Sequence, residues 1–176
     1  MFSKTLTATF GRDSRNRRSE ALDPQFDGAV ASLETFYHSF NTRNSGLLAG
    51  VWTDDLLVQL NNPVGGILRG RAAIAELYER IFHGPATVWV EFHDITAYGG
   101  GDWAVFAGRE TGEFRHDGDV VVTLAIRTTR IFAFRGTDTG WQQLHHHGSI
   151  DEPDTLRRYQ EAVLGAPAGR RAERTP

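Results

Sequence analysis

Near its C-terminal end the chain reads GWQQLHHHGS (140–149), with histidines at 145, 146 and 147. Imidazole titrates close to neutral pH, so such residues suit general-base chemistry, and a pair on one face can ligate zinc. The preceding stretch, VVVTLAIRTTRIFAF (120–134), reads as a β-strand. Alternation along it places Val122, Leu124, Ile126, Arg130 and Phe132 on one face. Arg130 interrupts an otherwise apolar surface, and a cation there needs a partner.

The turn RGTDTG (135–140) between the two stretches sets a register. With Arg135 opposite Gly140, Phe134 meets Trp141, Phe132 meets Gln143 and Arg130 meets His145. His147 then lies diagonally on the same face, and His146 points the other way. The expected site is a polar trio on an apolar face. His145 and His147 are its candidate bases, and Arg130 is a planar two-donor fork for a carboxylate or another anionic oxygen. The competing reading is a pair of half-buried histidines hydrogen-bonded to their neighbours. No metal is expected, because a catalytic zinc wants a third protein ligand and Arg130 on the same face would oppose a cation. Glu110 is a further candidate. It adjoins Arg109 on another strand, alternation sends one of the two inward, and the pattern leaves open which. An inward Glu110 could neutralise Arg130 or serve as a base of raised pKa.

Helices and strands must position these groups. FDGAVASLETFYHSF (26–40) repeats apolar residues at three- and four-residue steps, which predicts a helix with Asp23 as its cap and Pro24 at its first position. A short helix is predicted over 45–49, ended by Gly50, and a third over RAAIAELYERIF (71–82). LLVQL (56–60) reads as a short strand. After Pro85 the period changes to two, and four long strands follow, separated by GGG, HDGD and RGTDTG. Asp117-Gly118 is a strong hairpin signal. Helices first and an antiparallel meander after them predict an α+β fold, with helices packed on one face of a curved sheet.

The chain has 176 residues, a net charge of −3, a pI near 6.1 and no cysteine. This predicts one domain over 23–164, flanked by a loosely ordered arm (1–22) and a flexible tail (165–176). Arg12, Arg15, Arg17 and Arg18 give the arm a basic cluster. The charge balance calls for neither nucleic acid nor an anionic membrane as partner. No apolar run spans a bilayer, no secretory leader is evident and cysteine is absent, so a cytoplasmic location is expected.

With these elements in place, the chain resembles the nuclear transport factor 2-like superfamily. TRIF…GWQQLHHHGS is similar to the last hairpin of the association domain of calcium/calmodulin-dependent protein kinase II, an arrangement shared by SnoaL-like proteins. DDLLVQLNNPVGGILRGRAAI (54–74) is similar to the strand, turn and helix of ketosteroid isomerases. The resemblance implies a cone-shaped domain, a pocket between the long helix and the bent sheet, and a homodimer through the outer sheet face. It also implies ligand-binding positions. Arg130 matches an arginine lining the kinase domain's pocket. Asn62 stands where the isomerases carry an aspartate base, Arg130 near their protonated aspartate, and Tyr37 one residue from their oxyanion tyrosine. An amide and a guanidinium cannot perform those acid and base roles.

Three functions follow as expectations. One is a pocket protein for a small, carboxylate-bearing molecule, with isomerase, cyclase or dehydratase-type proton transfer by His145 or His147, Arg130, Tyr37, Asn62 and Glu110 lining the site, and no cofactor. Another is a non-catalytic oligomerisation or binding module. A regulatory partner of a neighbouring protein is a third.

Overall fold

The computed structural model describes residues 1–116, 118 and 120–165. Its elements, in order, are β1 (Phe2–Leu6), a 3-10 turn (Glu20–Leu22), α1 (Phe26–Asn41), α2 (Ser45–Val51), β2 (Gln59–Asn61), β3 (Leu68–Arg69), α3 (Arg71–His83), β4 (Thr87–Gly100), β5 (Trp103–His116), β6 (Val120–Phe134), β7 (Trp141–Ile150) and α4 (Pro153–Leu164). The strands form one curved, unclosed sheet in the order β1-β4-β5-β6-β7-β2-β3, so the fold is the expected α+β cone. All its strand pairs are antiparallel except β2 with β7. The helix after Pro24 begins two residues later than expected, with Gln25 as its N-cap, and α2 runs through Gly50 to Val51. Of the Asp117-Gly118 hairpin signal, Asp117 lies outside the described residues. Gly118 has φ +84°, the left-handed conformation such a turn asks of a glycine.

α1 crosses the concave face. Its stripe of Ala29, Leu33, Phe36, Tyr37 and Phe40 is buried against inward residues of the strands, among them Phe92, Phe106 and Phe132. Trp141 anchors the crossing at one end. Its indole nitrogen donates to the Asp23 carbonyl at 2.9 Å, and its own carbonyl accepts from Ser32 Oγ at 2.8 Å. Gly28 has to be a glycine here, since a Cβ would lie 2.0 Å from the Asp23 carbonyl oxygen and 2.8 Å from the Trp141 ring.

α4 was not foreseen in the sequence, although its signals are ordinary ones. Pro153 sits in its first turn, and the Glu152 carboxylate accepts from the backbone of Asp154 and Thr155 as an N-cap. The helix lies over the open end of the cone. Tyr159 packs against Phe114 with ring centroids 5.4 Å apart, and Gln160 Nε2 donates to the Pro63 carbonyl at 2.9 Å.

The first 22 residues are not the expected loose arm. β1 pairs with β4 from Phe2 opposite Gly99 to Leu6 opposite Ile95. Phe10 is buried and exchanges two backbone hydrogen bonds with Phe92. Of the basic cluster, Arg17 reaches Glu20 and Glu34, Arg18 donates to the Gly50 carbonyl, and Arg12 stacks 3.9 Å above the Trp89 ring. The physical reason is pairing with a sheet edge. Few apolar residues are present, but β4 has a free edge, and the arginines find carboxylates, a carbonyl and an aromatic face rather than water alone. Truncating Phe10 to alanine should therefore lower stability by about 3 kcal/mol, the usual cost of emptying a buried phenylalanine site. Urea unfolding followed by tryptophan fluorescence measures this, and a change within about 0.5 kcal/mol would mark the segment as loose.

Candidate functional site

Arg130 projects from the middle of β6 into the cone and is 1% exposed. Three of its donors are taken. Nη2 meets Glu110 Oε1 at 2.8 Å, Nε meets Tyr37 Oη at 2.9 Å, and Nη1 meets Gln143 Oε1 at 3.0 Å. Tyr37 in turn donates to the same Glu110 oxygen at 2.5 Å. The guanidinium plane lies 3.7 Å from the Phe36 ring centroid. Strand register explains the meeting. Glu110 opposes Ile126 and Phe106 opposes Arg130, so Glu110 and Arg130 lie on the inner face of adjacent strands, and α1 lays Tyr37 across them. Glu110, not Arg109, is the inward residue. Burial alone would lower the pKa of Arg130, but Tyr37, Glu110 and Tyr78 outweigh burial and raise it. Burial, reinforced by the Glu110 charge, holds the Tyr37 phenol well above its ordinary value despite the opposing effect of Arg130. Tyr78 is raised as well, chiefly by burial. This is a neutralised, internally satisfied charge pair. Removing one partner would strand the other charge, at a cost of about 3–5 kcal/mol.

The histidines are placed differently from expectation. β6 and β7 keep the predicted register from Phe134 opposite Trp141 to Phe132 opposite Gln143, and then it slips. Ile131 opposes His145 and Arg130 opposes His146, leaving Leu144 as the extra residue of a β-bulge. A one-residue slip exchanges the two faces of a strand beyond it. His146, expected to point away, therefore shares the inner face with Arg130 and is 4% exposed. His145 and His147, the candidate catalytic bases, lie on the outer face and do not join Arg130. β2 confirms the parity. It pairs with β7 in parallel, with buried Leu60 beside His146 and the half-exposed Gln59 and Asn61 beside His145 and His147.

His146 is the open group of the inner face. Neither ring nitrogen has a hydrogen-bond partner. The ring lies edge-on to Phe36, with centroids 6.5 Å apart. Burial, together with the charge of Arg130, pushes its pKa well below the ordinary value, so at neutral pH it is a neutral imidazole with one donor and one acceptor to offer. His145 is lowered as well, by partial burial and by His147.

These groups border a small cavity. His146, Arg130, Glu110, Asn62, Tyr78 and Tyr159 line it with apolar neighbours, and its volume is about 30 Å³, room for water and far below that of a drug-sized ligand pocket. Asn62 sits at its rim, where its side-chain oxygen accepts from Val64 N at 3.2 Å and so shapes the turn that follows. Of the expected site, the structure thus brings together Arg130, Glu110 and Tyr37, adds Asn62 at the edge, and excludes His145 and His147. Sequence reasoning missed the roles of Gln143, His146 and Tyr78. Gln143 was recoverable, since the register already set it opposite Phe132 on the inner face. His146 was not, because its orientation depends on the bulge.

The unpartnered imidazole has a pH signature. In the unfolded chain a histidine takes up its proton near pH 6.5, whereas folded His146 does so only at much lower pH. Between those values the unfolded state binds more protons, so stability falls as pH falls, by up to about 1.4 kcal/mol per pH unit for this group. Urea midpoints measured from pH 7.5 down to 4.5 should show that slope, and His146→Leu should remove it. An unchanged slope in the variant would assign the effect to other groups.

Comparison with known proteins accords with this geometry. The SnoaL-like domain family matches residues 30–152. No curated protein matches the chain. Among solved structures, a protein of Thiobacillus denitrificans described as a calcium/calmodulin-dependent protein kinase type II association domain is 25% identical. The match covers 70% of this chain and 94% of that one, with a TM-score of 0.56. A nuclear transport factor 2-like protein of Streptomyces avermitilis described as a dehydratase is 22% identical over 71% of this chain and 95% of its own, with a TM-score of 0.57. A nuclear transport factor 2-like superfamily protein of Salmonella enterica is 17% identical over 76% and 93%, with a TM-score of 0.63. With a matching family over most of its length and this bent sheet around a long helix, the chain belongs to the SnoaL-like family of the nuclear transport factor 2-like superfamily.

Proposed function

We propose that the cone binds a small neutral molecule bearing a carbonyl or hydroxyl group, with His146 as the group that hydrogen-bonds it. The supporting observation is the buried, neutral imidazole with two uncommitted nitrogens facing a cavity. A polar group buried without a partner costs free energy that an occupant's hydrogen bond would return. The carboxylate preference expected of Arg130 is withdrawn, since Glu110 neutralises its charge and three of its donors are engaged. If the occupant reacts, the chemistry that fits is proton transfer beside a carbonyl, of the isomerase, cyclase or dehydratase kind, with His146 as the base in place of His145 and His147. The other groups supply a fixed floor.

The cavity must widen to admit a molecule of this kind. Its cover is α4, which Gln160 ties to the turn at Pro63 through one hydrogen bond. Tyr159 forms part of the lining, so a small outward shift of this helix enlarges the space. Titrating the protein with a panel of small ketones, enones and hydroxyketones, while following the His146 imidazole resonances by NMR, tests the reading. At least one class is expected to shift those resonances and raise Tm, and His146→Leu should abolish both effects. Resonances that stay fixed across the panel in the wild type would overturn it.

A second reading draws on the cavity's small volume, which suits a non-catalytic binding or association module. In both readings we propose a homodimer through the outer sheet face. Tyr98, Val105 and Ile131 lie in one cross-strand row there, on β4 to β6, and the exposed Trp103 lies close by. Equilibrium sedimentation of the full chain should give a dimer, with Val105→Asp shifting it to monomer. A wild-type monomer at every concentration would remove the dimer from both readings.

A further inference from the structure

The bulge at Leu144 leaves His145 and His147 without an assigned task, on the outer face and two positions apart on one strand. We infer that this pair is a chelating site for a divalent first-row transition-metal ion. Residues i and i+2 of a strand project in the same direction about 6.6 Å apart along the chain, and two converging imidazoles can then ligate one ion at about 2.0–2.1 Å each.

Three observations carry the inference. Among the described residues neither ring finds a hydrogen-bond or ion-pair partner, which leaves its nitrogens uncommitted there. This contrasts with His38, His83 and His93, each of which bonds a neighbour. Access is open, since His145 is half-buried and His147 exposed. The parallel partner strand places oxygen donors alongside, with Gln59 opposite His145 and Asn61 opposite His147. The Asn61 side-chain oxygen is itself buried without a hydrogen-bond donor.

The charge argument against a metal also falls away. Arg130 lies on the opposite face of the sheet, bound to Glu110. On the outer face the nearest cations in register are Arg127 and Arg69. Arg127 is opposite Ser149 and held by Asp151 at 2.6 Å. Arg69 is one strand further out, opposite Gln59, and exposed. No cluster of three or more His, Asp, Glu or Cys occurs among the described residues, so the site offers two imidazoles and keeps its remaining positions for amide oxygen, water or a donor from another molecule. Two nitrogen ligands and an open coordination sphere favour Cu²⁺ over Ni²⁺, Co²⁺ and Mn²⁺ by the general affinity order, with Zn²⁺ weaker than Cu²⁺, and exclude a preference for Mg²⁺ or Ca²⁺.

The full chain, expressed without a histidine tag, is titrated calorimetrically with Cu²⁺, Zn²⁺ and Mg²⁺. One Cu²⁺ per chain, or one per two chains, is expected, with weaker Zn²⁺ and no Mg²⁺ binding. His145→Ala and His147→Ala should each weaken Cu²⁺ at least 10-fold, and His146→Leu, on the inner face, should leave it within 2-fold. Circular dichroism of each variant confirms that it is folded. Wild-type affinity retained in His147→Ala, a substitution at an exposed position, would overturn the inference, as would equal loss in His146→Leu.

Discussion

A guanidinium in an apolar interior has to be paired, and this cone is arranged around that requirement. Desolvating Arg130 is costly, and the cost is offset only if its donors are met by well-placed acceptors. One comes from β5, one from α1 and one from β7. The charge pair therefore constrains the relative position of three elements that hydrophobic contact alone would leave free to slide. Phe36 stacking on the guanidinium fixes the rotation of α1 in the same way. Stability comes from the phenylalanine-rich core, and the network adds uniqueness of arrangement.

The second constraint is one residue of strand geometry. A single bulge at Leu144 divides three consecutive histidines between two solvents. His146 enters the interior and loses its ability to hold a proton at neutral pH, while its neighbours face water and keep both nitrogens available. The same sequence run thus yields two chemically distinct surfaces, and neither is the mixed cluster that simple alternation predicts.

What could be read from the sequence follows from this. The long strands and the helices α1, α2 and α3 announced themselves through period and turn residues, and β6 was expected at its observed limits, Val120–Phe134. Arg130 was recognisable as a misfit on an apolar face, but the pattern left open whether Arg109 or Glu110 turns inward, and only the observed register makes Glu110 its partner. The histidine assignment failed because alternation carries no information about an inserted residue. GWQQLHHHGS lacks a glycine at the bulge and offers no marker for it. β1 was overlooked for a different reason. An exposed edge strand has no buried face, so its pairing leaves little hydrophobic trace.

The parallel pairing of β2 with β7 has a consequence for how the molecule assembles. Gln59 must find His145 across the whole of α3, β4, β5 and β6, so this contact closes a very long loop. Closing such loops is entropically slow, whereas the β4–β7 meander forms from neighbours in sequence. The β2–β3 corner, like the β1 edge that reaches from Phe2 to Gly99, thus depends for its docking on a distant part of the chain. This corner carries Asn61 and leads into Asn62 and Pro63, so the margin of the cavity is held by a contact between segments far apart in the chain.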